Sequence, residues 1–398
     1  MRAGAFLYPW DVDGDPDAPA RLADLGLAQV TLAAAYHSTR ALTPRHPRHR
    51  IVTAGYAAVL YPPDPERWRG RALAPYPAGD WAPGDAYGAA AGALAGAGLE
   101  VHSWVVLAHN SRLGAEHPET SVVNAYGDRY PWAPCIGQDA VRRYLVDLAA
   151  EAAVRQGAAG TELESCGWYG LAHLHAHDKT AGVPLDDTAR YLMSLCFCPS
   201  CREGYGGHGA DPDELAAAVR AALEPAWRGG PAGPVPGRLA DPALAWRLEA
   251  ARTLQEDAVA AVRAAAPPGF RVLLHADPVP YRCGANAGTD PAHVLAVADG
   301  VVTPAPDVAP FAAHAHERTV LAANLPVVTG MGGSPHTLAA DARRAAAEGA
   351  TELRLYHAGL ASDADLAAVR EALDAVHRIP SGPAPLGTAA ARAAATPR

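Results

Sequence analysis

A chain of 398 residues, 49% of them hydrophobic, is long enough to close one large domain around a substantial core. A formal net charge of −9 with no basic block argues against a nucleic-acid partner, and no apolar run reaches membrane-spanning length. Basic charge is almost all arginine; Lys179, the single lysine, sits in a polar stretch, which argues against Schiff-base chemistry.

The first ten residues turn polar too soon for a signal peptide and read as a first strand, over 3–10. Short apolar, β-rich runs then alternate with alanine-rich helical patterns to the end of the chain. Strands are predicted at 29–37, 100–110, 160–166, 270–277, 300–304, 325–331 and 351–357, with helices between them. Two long loops, 38–83 and 111–134, are rich in Pro, Arg, His and aromatic residues. An insertion over about 167–268 follows the fourth strand, with a His-rich loop at 173–178 and a Gly/Pro linker at 229–237. The stretch 381–398 is Pro/Ala-rich and reads as a disordered tail. Eight strand–helix units predict an α/β fold, a single (β/α)8 TIM barrel over 1–380. A doubly wound sheet is the alternative, but the first turn, Trp10-Asp11-Val12-Asp13-Gly14, lacks the glycine pattern that fold uses.

In such a barrel the chemistry sits at the carboxyl ends of the strands. Those ends carry Tyr8 and Trp10, His37, His109 and Asn110, Glu164, His275 and Asp277, Thr303, Thr329, and Tyr356 with His357. Period-two alternation places Glu162 with Glu164, His275 with Asp277, and Glu352 with Arg354 and Tyr356 on inward faces. Isolated charges inside a barrel are costly, so Arg354 is expected to neutralise Glu162 or Glu352 as scaffold. Glu164 and Asp277 then face the cavity as the candidate catalytic carboxylates. Adjacent strands lie about 4.8 Å apart, which favours the short carboxyl separation of a retaining glycosidase over the wider gap of an inverting one. Trp168, directly after the fourth strand, is either a sugar-stacking platform or a hydrophobic plug.

Cysteine is scarce except at Cys196-Phe-Cys198-Pro-Ser-Cys201. The C-x-C-x-x-C spacing converges three soft thiolates, and a fourth completes a tetrahedral structural zinc site. Cys135 is the candidate fourth ligand; Cys166 and Cys283 compete for the role. A closed thiolate site is scaffold, so the chemistry lies elsewhere. Clustered thiols without an export signature suggest a cytoplasmic protein.

The order of these parts carries a resemblance. Cys135 precedes a helix with Val141-Arg142-Arg143-Tyr144, a strand ending in Glu164 follows, and then C-x-C-x-x-C at 196–201. This resembles the catalytic barrel of the family 42 β-galactosidases and the uncharacterised glycoside-hydrolase-like barrels around them, over about residues 100–205 and more loosely beyond. The resemblance implies zinc held by Cys135, Cys196, Cys198 and Cys201. It departs at two points. The family ends strand four with Asn-Glu where this chain has Leu163-Glu164, and its strand-seven nucleophilic glutamate has no counterpart in Thr329-Gly330-Met331. A glycosidase built here needs its second carboxylate from another strand, and Asp277 is the best remaining candidate.

The first expectation is therefore a glycoside hydrolase acting on a carbohydrate or glycoside, with Glu164 and Asp277 dividing the carboxylate roles. Tyr8, Trp10, His37, His109, Asn110, Trp168, His275, Tyr356 and His357 are its candidate substrate contacts. A metal-dependent sugar isomerase, epimerase or lyase is the second, its ion held by Glu164, His275 and Asp277 with His37 or His109. A carbohydrate-binding barrel without catalysis is the third. A homo-oligomer stays open.

Overall fold

A computed structural model describes residues 1–174 and 178–378. Its centre is a closed barrel of eight parallel strands: β1 (Arg2–Leu7), β2 (Gln29–Tyr36), β3 (Glu100–Val106), β4 (Ala158–Glu164), β5 (Arg271–Asp277), β6 (Gly300–Pro304), β7 (Val320–Pro326) and β8 (Glu352–Tyr356). Each strand pairs with the next, and β8 returns to β1. The fold is a (β/α)8 barrel. Strands in such a barrel are covered on both faces, which is why they are apolar and alanine-rich throughout. The expected tail at 381–398 lies outside the described residues, as does 175–177 of the His-rich loop.

One strand is displaced from its expected place. The sequence favours 325–331, where Val327 and Val328 stand; β7 instead ends at Pro326. The reason is tight packing inside the closed barrel. Ala322 and Ala323 are fully buried, and Gly300 on β6 lies so close that an added Cβ would be 2.0 Å from the Val320 carbonyl oxygen. Thr329 is consequently outside the barrel, its hydroxyl 2.5 Å from Asp365. Asn324 takes the inward position level with Arg354.

The two long loops are structured. Residues 38–83 contain an antiparallel hairpin (Thr39–Leu42 with Ile51–Ala54) and a short strand, Ala58–Val59, that pairs with the end of β2. The loop after β3 holds a helix, Ser111–Glu116, and a second hairpin (Ser121–Val123 with Arg129–Pro134). The span after β4 carries helices Asp187–Met193, Pro199–Gly207, Pro212–Trp227 and Gly237–Ala265. The last packs on helix Asp139–Ala153, and so belongs to the helical ring of the barrel.

The barrel interior is stratified. At the amino-terminal end Arg2 and Arg271 pair with Glu100 and Glu352. Above them the fully buried Arg354 donates from Nε to Glu162 at 2.6 Å and from Nη1 to Glu352 at 2.9 Å. Gln29 completes the layer, donating to Glu162 at 3.2 Å. Burial alone would raise the Glu162 carboxyl, but Arg354, with His275 and His102, holds it below the ordinary carboxylate range. His102 occupies space that exists because residue 160 is glycine: a Cβ there would be 2.7 Å from its ring. Phe6, Trp104, Leu273, Val302 and Ala322 supply the apolar part of the same interior.

Candidate active site

Glu164 is the last residue of β4 and rises from the inner core into a wall of rings. Trp104 Nε1–H donates to its Oε2 at 2.8 Å, and His275 Nδ1 lies 3.8 Å from the same oxygen. Register explains both contacts. Glu164 is level with Val106 on β3, two residues above Trp104, and by continuation of the β4–β5 pairing it is level with His275. His275 also bridges down, with Nε2 3.7 Å from Glu162, so it links the charged floor to the site.

The rings come from other strand ends. Tyr8 follows β1 and stacks on Trp10 at 4.6 Å, with Tyr36 edge-on at 4.9 Å. Tyr356 ends β8 and His357 follows it, their ring centroids 3.8 Å apart. The hydroxyls of Tyr8, Tyr36 and Tyr356 are all pushed up in pKa, first by burial, with the Glu164 charge adding to it in each case. These phenols are neutral donors around one carboxylate, which is only 6% exposed.

Two backbone positions mark the same place. Ser165, directly after Glu164, has φ 55°, and His357, directly after Tyr356, has φ 59°. Non-glycine residues in the left-handed region carry strain of about 1–3 kcal/mol and concentrate at functional sites. Both also bury an unpartnered polar atom, Ser165 Oγ and His357 Nδ1. Burial lowers the His357 pKa to about 3, so the ring is neutral.

A third group lies beside the carboxylate. His37 follows β2 and His109 follows β3; their rings stack at 4.5 Å. His173, beyond β4, approaches both, and one ring nitrogen from each of the three lies within 4.8 Å of the others. His37 Nδ1 is 2.8 Å from the Ser38 carbonyl oxygen. Tyr169 stacks on His109 at 4.1 Å, and its hydroxyl donates to the His173 carbonyl oxygen at 3.0 Å. Glu164 is close enough to act on the charge of His37.

Other expected residues stand elsewhere. Asn110 is committed to capping helix Ser111–Glu116, its Oδ1 accepting from Leu113 N at 2.9 Å. Trp168 is buried against the insertion, donating to the Arg247 carbonyl oxygen at 2.9 Å beneath the Arg247 guanidinium. It is the plug of the two expected alternatives. Asp277 accepts from Val279 N at 2.8 Å and pairs with Arg282 at 3.3 Å, which also holds Asp187 of the insertion. It stands two residues above the level of Glu164 on the next strand. Strand spacings of about 4.8 Å across and 6.6 Å along put the two Cα atoms about 8 Å apart, wider than adjacency alone suggests. Burial raises the Asp277 carboxyl against the pull of Val279 N–H and Arg282. Near Tyr8, Asp11 accepts from Tyr8 N at 2.8 Å, its other oxygen is buried without a partner, and burial pushes its pKa to about 7.

Sequence reasoning misses Trp104, Tyr36 and His173. The alternation His102, Trp104, Val106 marks Trp104 as inward, and Tyr36 ends β2 beside His37, so both carry a local signal. His173 is legible only as part of a His-rich loop.

The four cysteines do converge. Cys135 Sγ is 3.6 Å from Cys198 Sγ and 3.5 Å from Cys201 Sγ, and all four sulfurs, Cys196 included, lie within 4.8 Å and are buried. Thiolates about 2.3 Å from a tetrahedral ion sit nearly this far apart, so the cluster fits a metal. Backbone N–H groups of Val123 and Cys198 point at Cys196 Sγ, at 3.4 and 3.5 Å. Residue 137 is glycine where a Cβ would be 2.9 Å from Cys201 Sγ. Cys166 is outside the cluster, and Cys283 instead accepts from Arg247 at 3.1 Å.

No protein-family model and no curated protein matches the chain. Solved structures do. The glycoside hydrolase domain of PgaB (BpsB) from Bordetella bronchiseptica aligns with a TM-score of 0.57 at 15% identity, over 93% of this chain and 98% of that one. α-L-Fucosidase isoenzyme 2 from Paenibacillus thiaminolyticus aligns at 0.56 and 12%, over 94% of this chain and 49% of that one. A GH42 β-galactosidase from G. stearothermophilus aligns at 0.54 and 11%, over 94% and 56%. The chain spans about half the length of the latter two. At these identities the likeness establishes the barrel, a fold shared with glycoside hydrolases.

Proposed function

We propose that the protein is a carbohydrate-active enzyme of the glycoside-hydrolase type, with Glu164 as the acid that protonates the leaving oxygen. The observation that carries this reading is the Glu164 carboxylate itself. It is held by Trp104 at the carboxyl end of β4, ringed by neutral tyrosine and histidine donors suited to sugar hydroxyls, and bracketed by strained backbone. Asp277 is the second carboxylate. Its greater height on β5 leaves room for a water between carboxylate and sugar, so the reaction belongs to the inverting class rather than the retaining one that strand adjacency favours. Substrate access requires the rings over Glu164 to turn aside.

The four-cysteine centre, on this reading, holds zinc and serves the scaffold. It ties the loop after β3 to the insertion after β4 and takes no part in turnover.

An aryl-glycoside panel tests the proposal. Turnover on at least one member is expected, with anomeric inversion visible by NMR during early hydrolysis. Glu164→Gln and Asp277→Asn are each expected to lower kcat by at least about a thousandfold. Full activity in Glu164→Gln refutes the assignment.

A further inference from the structure

We propose that His37, His109 and His173 form a metal site, an open three-imidazole centre for a divalent transition ion, zinc foremost, at the mouth of the barrel beside Glu164. Each ligand comes from beyond a different one of three consecutive strands, β2, β3 and β4, so only the closed barrel brings them together. One ring nitrogen from each lies within 4.8 Å of the others. Around a tetrahedral zinc with bonds of about 2.0–2.1 Å such nitrogens sit about 3.3 Å apart, a closure that side-chain rotation supplies.

The surroundings hold the rings as metal ligands are held. The Ser38 carbonyl oxygen accepts a hydrogen bond from His37 Nδ1–H, which leaves Nε2 with its lone pair free to ligate. His109 is buried, carries no side-chain hydrogen bond among the described residues, and is braced by the Tyr169 ring at 4.1 Å. The same Tyr169 fixes the backbone of His173 through its hydroxyl. A purely structural trio of imidazoles needs donors for its lone pairs, and none reaches the His109 ring among the described residues. An ion at the centre satisfies all three rings at once.

Three neutral protein ligands leave a fourth position open, the pattern of catalytic rather than structural zinc. Glu164, the last residue of β4, stands at the same carboxyl end of the barrel as the three imidazoles. The ligands this centre takes are hydroxyl or carbonyl oxygens of a polyhydroxylated substrate, or water. This set differs from the group that the sequence brings forward for a metal, Glu164, His275 and Asp277 with His37 or His109, in resting on three imidazoles and no carboxylate, and it is separate from the four sulfurs.

The test needs no turnover, so it stands whether or not the glycosidic reading holds. The full-length protein is saturated with Zn2+, desalted, and its zinc measured by elemental analysis, with titration calorimetry for the weaker equivalent. Two equivalents per chain are expected in the wild type and one in His37→Ala and His109→Gln. In His173→Ala, at an exposed loop position that leaves the core intact, the second equivalent is expected to bind at least about tenfold more weakly. Circular dichroism and retention of the first equivalent certify the fold. One equivalent in the wild type, or wild-type binding of the second equivalent in folded His173→Ala, overturns the proposal.

Discussion

Arg354→Met is the substitution whose consequence the barrel interior defines best. Arg354 is fully buried and is the cation that neutralises Glu162, which is itself fully buried, while also bonding Glu352 and the Leu353 carbonyl oxygen. Methionine fills much of the arginine stem, so the loss is electrostatic rather than a cavity. Glu162 keeps Gln29, His102 and His275 as neighbours but loses the guanidinium. Breaking a buried pair from one side costs about 3–5 kcal/mol. Unfolding entropy of about 2.1 cal/mol/K per residue makes that a fall in Tm of about 4–6 °C for a chain of this size. The pH dependence carries the sign. In the wild type the Glu162 pKa is lowered on folding, so its contribution is complete above the ordinary carboxylate range and disappears as pH falls. Without the guanidinium, burial raises it instead, and Arg354→Met should lose less stability at pH 5 than at pH 8. Adding Glu162→Gln should restore at least half of the loss, because the stranded charge is gone. Calorimetric melting of the two single variants and the double reads all of this. An unchanged Tm in Arg354→Met, or a double variant no better than the single, refutes the reasoning.

Cys198→Ser should abolish one zinc equivalent that survives in Cys166→Ser and Cys283→Ser, and should lower Tm, since metal binding is coupled to folding; elemental analysis and melting check both. Asp11→Asn should stabilise the protein increasingly as pH rises from about 4 to about 7 and by a constant amount above that. The folded carboxyl is raised to about 7, so ionising it costs stability that the amide keeps, and urea unfolding at pH 5 and pH 8 measures the difference. Ser165→Gly should raise stability by about 1 kcal/mol by releasing the left-handed strain, whereas Ser165→Ala, equally strained there, should not.

Much of the barrel is legible in the sequence because its strands are short, apolar and bounded by turn residues, and period-two alternation places Arg354 and Glu162 correctly on one interior. β7 is not legible in this way. Its alanines carry no strand preference, and the β-branched pair Val327 and Val328 attracts the assignment that closure of the barrel denies it. The cysteine set is legible because three thiols at that spacing, in a chain otherwise poor in cysteine, suit a metal far better than they suit core packing. Asn110 and Trp168 stand at strand ends but serve a helix cap and a packing surface against the insertion, distinctions that depend on where the chain turns next. His173 joins His37 and His109 through a loop whose path no local pattern encodes.

The loops that carry His109 and His173 leave the barrel on adjacent strands and are clasped again at the sulfurs of Cys135, Cys196, Cys198 and Cys201. If the centre holds metal as proposed, one knot braces both loops, and loosening it would free two walls of the same doorway together. On that proposed reading, the occupancy of the knot and the oxidation state of its thiols would bear on the shape of the doorway, so metal supply would reach the mouth of the barrel through architecture and not through a reacting atom.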